Sequence, residues 1–217
     1  MTRAVVAALA LCTALLPGLS AQAAEQAPHS AGAYIRAIGQ LRVGDPVPDF
    51  RAKDIYGTEV CLQDLLASGR KPLLAFWSIF CKACVEKFNA LVSVQSRFAD
   101  RGIAVISVNT DGEYQKSEQE IRDFIADYEK QHAIKINFPV LYDERNWLPQ
   151  ALTIEFLPTI ISVDPRGKVA GFYQKFDEAN EAEIVAGIEG LARELLALYP
   201  AGVPTAAPGA APCPEIK

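Results

Sequence analysis

Leu73-Leu74-Ala75-Phe76-Trp77-Ser78-Ile79-Phe80-Cys81-Lys82-Ala83-Cys84 is the stretch that decides the fold of this chain. Residues 73–77 form a short apolar run, the pattern of a strand buried on both faces. Apolar residues then recur at helical spacing, at Phe88, Leu91, Val92, Val94 and Phe98. That spacing predicts a helix over 83–98, stopped by Gly102. Cys81 and Cys84 thus stand where a buried strand runs into a helix. Residues i and i+3 of a helix are neighbours, and their Cα separation suits a disulfide that forms and breaks with little backbone movement. The unpaired N–H groups and the dipole of a helix N-terminus favour negative charge, and Lys82 adds a cation. A thiolate at Cys81 gains from these, so its pKa should fall below that of free cysteine. The thiolate is the attacking species in disulfide exchange, which makes Cys81 the nucleophile. Cys84, one turn further and more buried, would resolve the mixed disulfide.

Two plainer readings stand beside this one, a static disulfide and half of a zinc site. Zinc would need two more ligands, but the other cysteines are distant in sequence, and His29 and His132 lack ligand spacing. No histidine follows Cys84, as haem attachment would require. Neither a cofactor nor a metal is expected.

Outward from this stretch, strand and helix signals alternate. Residues 50–53 and 59–62 flank Tyr56-Gly57-Thr58 and read as a hairpin with Gly57 at the tight position. A short helix follows over 62–67. Residues 103–108 read as a second buried strand. Ser117 with Glu120 reads as a capping box that opens a helix to His132. Residues 138–142 are strand-like and 146–152 helical. Residues 159–163 and 168–173 form a hairpin about Asp164-Pro165-Arg166-Gly167, and an amphipathic helix spans 178–198. Phe76, Phe88, Phe98 and Phe124 fall at core positions. The fold class is α/β, with a mixed central sheet covered by helices on both faces and an N-terminal β-hairpin.

The ends of the chain read differently. Arg3, the apolar run 4–16 and Ala21-Gln22-Ala23 form a signal-peptide pattern over residues 1–23. The run is shorter than the roughly 20 residues a spanning helix needs; an uncleaved leader would instead anchor the protein. Residues 24–42 read as a linker with a helical turn near 34–41, residues 43–198 as the folded domain, and 199–217 as a Pro/Ala-rich flexible tail. Export to the periplasm or beyond is the expected location. Removing the leader takes Cys12 with it and leaves Cys61, Cys81, Cys84 and Cys213, an even set in an oxidising compartment. Cys61 and Cys213 could pair and pin the tail; alternatively Cys213 is a free thiol or exchanges with the active pair. Half of the chain is hydrophobic, 22% is charged, and the net charge is −5. The basic residues do not cluster, so no nucleic-acid footprint is present.

Phe156-Leu157-Pro158-Thr159 precedes a strand, and X-Pro bonds adopt the cis form at small cost. A cis-proline there would leave backbone groups free for a guest strand; a trans proline at a strand start is the ordinary alternative. Trp77 and Cys81-Lys82-Ala83-Cys84 together with Leu157-Pro158-Thr159 resemble the thioredoxin superfamily. Gly44-Asp45-Pro46-Val47-Pro48-Asp49-Phe50, the hairpin and Gln63-Asp64-Leu65 resemble its exported TlpA/ResA-type branch, also called redoxin domains. The resemblance implies a thiol–disulfide oxidoreductase, with Pro158 as a cis-proline facing the cysteine pair and Trp77 beside it. Trp77, Lys82, Ala83, Leu157, Pro158 and Thr159 form the implied substrate-binding set. The implied partners are protein thiols or disulfides and an upstream electron donor embedded in the membrane, served by a monomer that acts as a reductase, as in cytochrome c maturation.

This chain departs from the family pattern at several positions. Ala83 stands where Pro usually precedes the second cysteine, Lys87 where a Glu is frequent, Asn89 where a Pro kinks the helix, and Ala75 where thioredoxins bury an acid. The segment 111–137 is longer than in a minimal thioredoxin. Two other functions are weighed against the oxidoreductase. A peroxiredoxin-like peroxidase resembles P-x-x-x-T-x-x-C, but Leu74 and Ser78 occupy its Pro and Thr positions. A binding module without turnover would have no need of the intact cysteine pair.

Overall fold

The computed structural model describes residues 41–174 and 180–199. The leader, the linker up to residue 40 and the tail from residue 200 onward lie outside the described residues. A five-stranded sheet runs in the order β5-β4-β3-β6-β7. Its strands are β3 (Lys71–Trp77), β4 (Ile103–Asn109), β5 (Val140–Tyr142), β6 (Thr159–Val163) and β7 (Val169–Tyr173). β4 runs parallel to β3 and β5 parallel to β4, whereas β6 and β7 are antiparallel to their neighbours. The expected mixed sheet is therefore present, with β3 at its centre.

β3 is central because both of its faces are apolar. Leu73, Ala75 and Trp77 point into one core with Ile103, Val105 and Ile160. Leu74 and Phe76 point into the other with Ile106, Val108 and Ile161. Successive side chains of a strand alternate between faces, so an unbroken apolar run serves a sheet covered on both sides. α3 (Phe88–Phe98), α4 (Glu118–His132) and α6 (Glu181–Ala197) cover the first face through Phe88, Leu91, Ile121, Ile125, Ile188 and Leu191. α1 (Leu62–Ala67) and α5 (Trp147–Ala151) cover the second through Leu62, Leu66 and Leu148.

The hairpin of β1 (Arg51–Lys53) and β2 (Glu59–Cys61) forms a separate two-stranded sheet. Gly57 takes φ +90 at its turn, where a side chain would be strained. Asp54 accepts hydrogen bonds there from the Tyr56 and Thr58 N–H groups. The hairpin leans on the β5 edge through Ile55 N–H to Val140 O, 2.8 Å. At the other edge, Gly44 N–H donates to Val169 O and Val47 N–H to Gly167 O, both at 2.8 Å. Both sheet edges are thereby partnered over part of their length, which blunts edge-to-edge pairing.

α4 begins with the predicted capping box. Ser117 Oγ accepts from the Glu120 N–H, and Glu120 accepts from the Ser117 N–H at 2.8 Å. Lys116 and Ser117 hold the Glu120 carboxyl down at about 2, against the usual 4.5. A carboxyl depressed on folding stabilises the fold above its unfolded pKa and loses that contribution as pH falls through its folded value. The difference in urea midpoint between wild type and Glu120→Gln should therefore be constant at neutral pH and vanish between about pH 4.5 and pH 2. Ser117→Ala should cost about 1 kcal/mol at neutral pH, measured by urea unfolding.

One element differs from expectation. The single helix predicted over 83–98 is two, α2 (Lys82–Val85) and α3, separated at Glu86 and Lys87. Neither Gly nor Pro marks the break. The backbone there tightens to Lys87 N–H on Cys84 O, 3.0 Å, and the Lys87 side chain donates to Ala83 O, 3.0 Å. Lys87 is only 2% exposed.

Candidate active site

The sheet topology delivers four segments to one end. β3 ends at Trp77 opposite Asn109, the last residue of β4, and Asn109 in turn lies opposite Tyr142, the last residue of β5. β6 starts at Thr159, opposite Phe76 on the antiparallel side. The loops after β3, β4 and β5 and the loop before β6 therefore emerge together, outside the carboxyl ends of the parallel strands, where open α/β sheets place their ligands.

Cys81 and Cys84 are joined by a disulfide, with their Cα atoms 5.2 Å apart. Cys81 is the N-cap of α2 and remains partly exposed, whereas Cys84 is 2% exposed. The Cys84 N–H donates to Cys81 Sγ at 3.2 Å. Once the bond is reduced, that N–H faces the Cys81 sulfur and favours its thiolate. Such an arrangement lets the partly exposed sulfur meet a partner while the buried one stays within bonding reach of it.

Two of the expected charge effects differ. The helix that Cys81 caps is one turn long, so it offers the sulfur the N–H of Cys84 rather than a long-helix dipole. Lys82 is 89% exposed and lies 3.6 Å from Glu86, its i,i+4 partner. A solvated ion pair of this kind contributes little. The cation close to the pair's backbone is the buried Lys87, which stands where the family frequently has a Glu and donates to Ala83 O.

The proline loop takes the rarer of its two forms. Leu157–Pro158 is a cis peptide. Pro158 and Thr159 are buried and Leu157 is partly buried. Thr159 Oγ1 donates to Phe156 O at 2.6 Å and accepts from Gln174 at 2.7 Å, so its hydroxyl shapes the loop. Trp77 is also buried, at 2% exposure, with Phe88 edge-on at 4.7 Å and Phe124 at 5.9 Å. It supports the floor of the site, and its ring offers no surface to a partner. The exposed aromatic neighbours are Phe80, 62%, and Phe156, 48%. Phe80 meets the ring of Tyr114 edge-on at 5.5 Å.

Sequence reasoning missed the group beneath the loop. Asp111 is 0% exposed and accepts from Ser78 Oγ at 2.5 Å, Ile79 N–H at 2.8 Å and Asn109 Nδ2 at 2.6 Å. Ser78 and Ile79 lie 33 and 32 positions back along the chain, beyond any local pattern. Cys61 is 5% exposed at the end of β2 and is not a free thiol. Cys213, its expected partner, lies outside the described residues.

A disulfide between a partly exposed cysteine and a buried one, at a strand-to-helix junction in a chain that also holds a cis-proline before β6, can be compared with known proteins. The AhpC/TSA family profile matches residues 43–172. The chain belongs to the AhpC/TSA family. This AhpC/TSA chain is 33% identical over 130 residues to thioredoxin-like protein YneN of Bacillus subtilis (strain 168), covering 59% of this chain and 69% of that one. It is 29% identical over 126 residues to thiol-disulfide oxidoreductase ResA of the same organism, covering 58% and 64%. Among solved structures it is similar to a thiol:disulfide interchange protein, thioredoxin family, of Chlorobium tepidum TLS. That match has a TM-score of 0.53 at 18% identity and covers 69% of this chain and 97% of that one. The structural likeness establishes the thioredoxin-like fold of the AhpC/TSA domain, as the sequence resemblance implied. Among the described residues, no helix is long and apolar enough to cross a membrane.

Proposed function

We propose that this protein is a thiol–disulfide oxidoreductase that works outside the cytoplasm as a reductant of protein disulfides. The observation that carries the reading is the Cys81–Cys84 pair, one sulfur partly exposed and facing an N–H donor, the other buried. In the reduced protein the Cys81 thiolate attacks a substrate disulfide and expels one substrate thiolate, which takes a proton from solvent. The Cys84 thiolate then attacks Cys81 Sγ in the mixed disulfide and releases the second substrate thiol. Two electrons pass to the substrate and the Cys81–Cys84 bond forms. An upstream dithiol donor, held in the membrane, restores the reduced pair. The cis-Pro158 loop presents backbone to the substrate segment, and Lys82, Ala83 and Leu157 border it. The cysteine pair of an apocytochrome c, which must be reduced before haem attaches, is the substrate class that the family resemblance favours. Its relatives' names support the chemistry without the substrate.

The reduction potential decides the direction. Equilibrating the protein with glutathione or dithiothreitol buffers should give a value well below the roughly −120 mV of strong periplasmic oxidants. A value at or above that level would make the protein an oxidase. A thiol peroxidase is the other reading that the AhpC/TSA family admits. Against it, the Ser78 hydroxyl is committed to Asp111 and buried, so it is not free to bind a peroxide beside Cys81. Saturable consumption of hydrogen peroxide by the reduced protein would restore that reading.

A further inference from the structure

We infer that Asp111 is a positioning residue for Cys81, acting through Ser78, Ile79 and Phe80. This rests on Cys81 being the attacking thiol. The link from the end of β3 to Cys81, the N-cap of α2, is three residues long and belongs to no strand or helix. Asp111 Oδ1 accepts from Ser78 Oγ, and Oδ2 accepts from the Ile79 N–H. Ser78 Oγ in turn accepts from the Phe80 N–H at 3.0 Å, and Ser78 O accepts from the Cys81 N–H at 3.1 Å. One carboxylate thus fixes each residue between the strand and the nucleophile. The Asn109 amide locks it in turn, donating from Nδ2 to Oδ2 and accepting the Asp111 N–H on Oδ1 at 3.1 Å.

The carboxylate itself is held by a tight turn. Asp111–Tyr114 is a single 3-10 turn after β4, and Thr110 N–H anchors it to Trp77 O at 3.0 Å. Glu113 accepts from Asn146 Nδ2 at 2.7 Å, which ties the turn to the start of α5. Above the loop, Tyr114 meets Phe80, and Lys116 Nζ lies 5.8 Å from the Phe80 ring centre. The link that carries Cys81 is therefore gripped from below by Asp111 and from above by Tyr114. All three groups that Asp111 engages are donors. An asparagine would turn an N–H₂ toward one of them and release part of the link, because a buried donor left without an acceptor is costly.

Position and charge predict opposite signs. A buried anion acting through its charge would hold the Cys81 thiol up, so Asp111→Asn would make the thiol ionise more easily. A positioning role predicts that Asp111→Asn makes it ionise less easily, because the sulfur leaves the Cys84 N–H. Ser78→Ala keeps the charge and removes one link, and Ser78→Thr restores the hydroxyl. Lys82, Glu86 and Lys116 are unchanged in every variant.

The test uses the reduced full chain and a small aromatic disulfide as probe, with the rate followed against pH. Asp111→Asn and Ser78→Ala should each raise the ionisation midpoint of Cys81 and slow attack at neutral pH by about tenfold, and Ser78→Thr should recover the wild-type profile. Should Asp111→Asn fail to fold, the two Ser78 variants decide alone. Wild-type profiles for Ser78→Ala, or a lowered midpoint in Asp111→Asn, would overturn the inference. A wild-type protein that does not attack the probe would instead sink the oxidoreductase reading.

Discussion

Cys84→Ser should accumulate as a stable mixed disulfide with its substrate, and Cys81→Ser should lose exchange altogether. The asymmetry follows from burial. Of the pair, Cys81 alone is exposed enough to meet a second protein, so its removal leaves the pair no attacking sulfur; the loss should exceed a thousandfold, the scale seen when a nucleophile is deleted. Cys84 is 2% exposed and lies behind Cys81. Without it, the bond from Cys81 to the substrate has no intramolecular partner to break it. Non-reducing gels of extract from cells that express each variant should show adducts with Cys84→Ser and none with Cys81→Ser or the double variant. Equal trapping by the two single variants would mean that the roles are not fixed by burial.

Gly112→Ala should be the most damaging single-methyl change in the described structure. A Cβ at Gly112 would lie 2.0 Å from Glu144 O, 2.5 Å from its carbonyl carbon and 2.6 Å from its Cα. These are backbone atoms, so no side chain can swing away. The 3-10 turn must lift off the loop after β5, at a cost of about 3 kcal/mol, and Asp111 moves with it. The urea midpoint should fall by that amount, and Cys81 should react more slowly in the molecules that remain folded. Gly190→Ala is the matched control. It lies inside α6 with nothing within 4 Å of the added methyl, and alanine there should be neutral or stabilise by up to about 1 kcal/mol. Equal midpoints for the two variants would mean that the 109–116 turn yields easily.

Much of this architecture is legible in local sequence. β3 declares itself because an apolar run covered on both faces needs no alternation. α4 declares itself because Ser117 and Glu120 carry their cap within four residues. The cysteine pair and Pro158 stand in short motifs whose chemistry depends on a few neighbours. What stayed hidden depends on contacts across the fold. The break between α2 and α3 has no Gly or Pro to announce it; it is held by a lysine folded back on Ala83 O. The burial of Trp77 and Thr159 is set by helices and strands far along the chain. Asp111 reads as one acid in a polar turn, and only the parallel pairing of β3 with β4 brings it beneath Ser78.

The most direct measurement is the pH dependence of alkylation of the fully reduced protein by iodoacetamide, with the modified cysteine located by mass spectrometry. Cys81 should be alkylated first, with a midpoint below the roughly 8.5 of free cysteine, while Cys84 stays protected until the protein unfolds. Alkylation of Cys84 first, or a Cys81 midpoint no lower than that of free cysteine, would contradict the account.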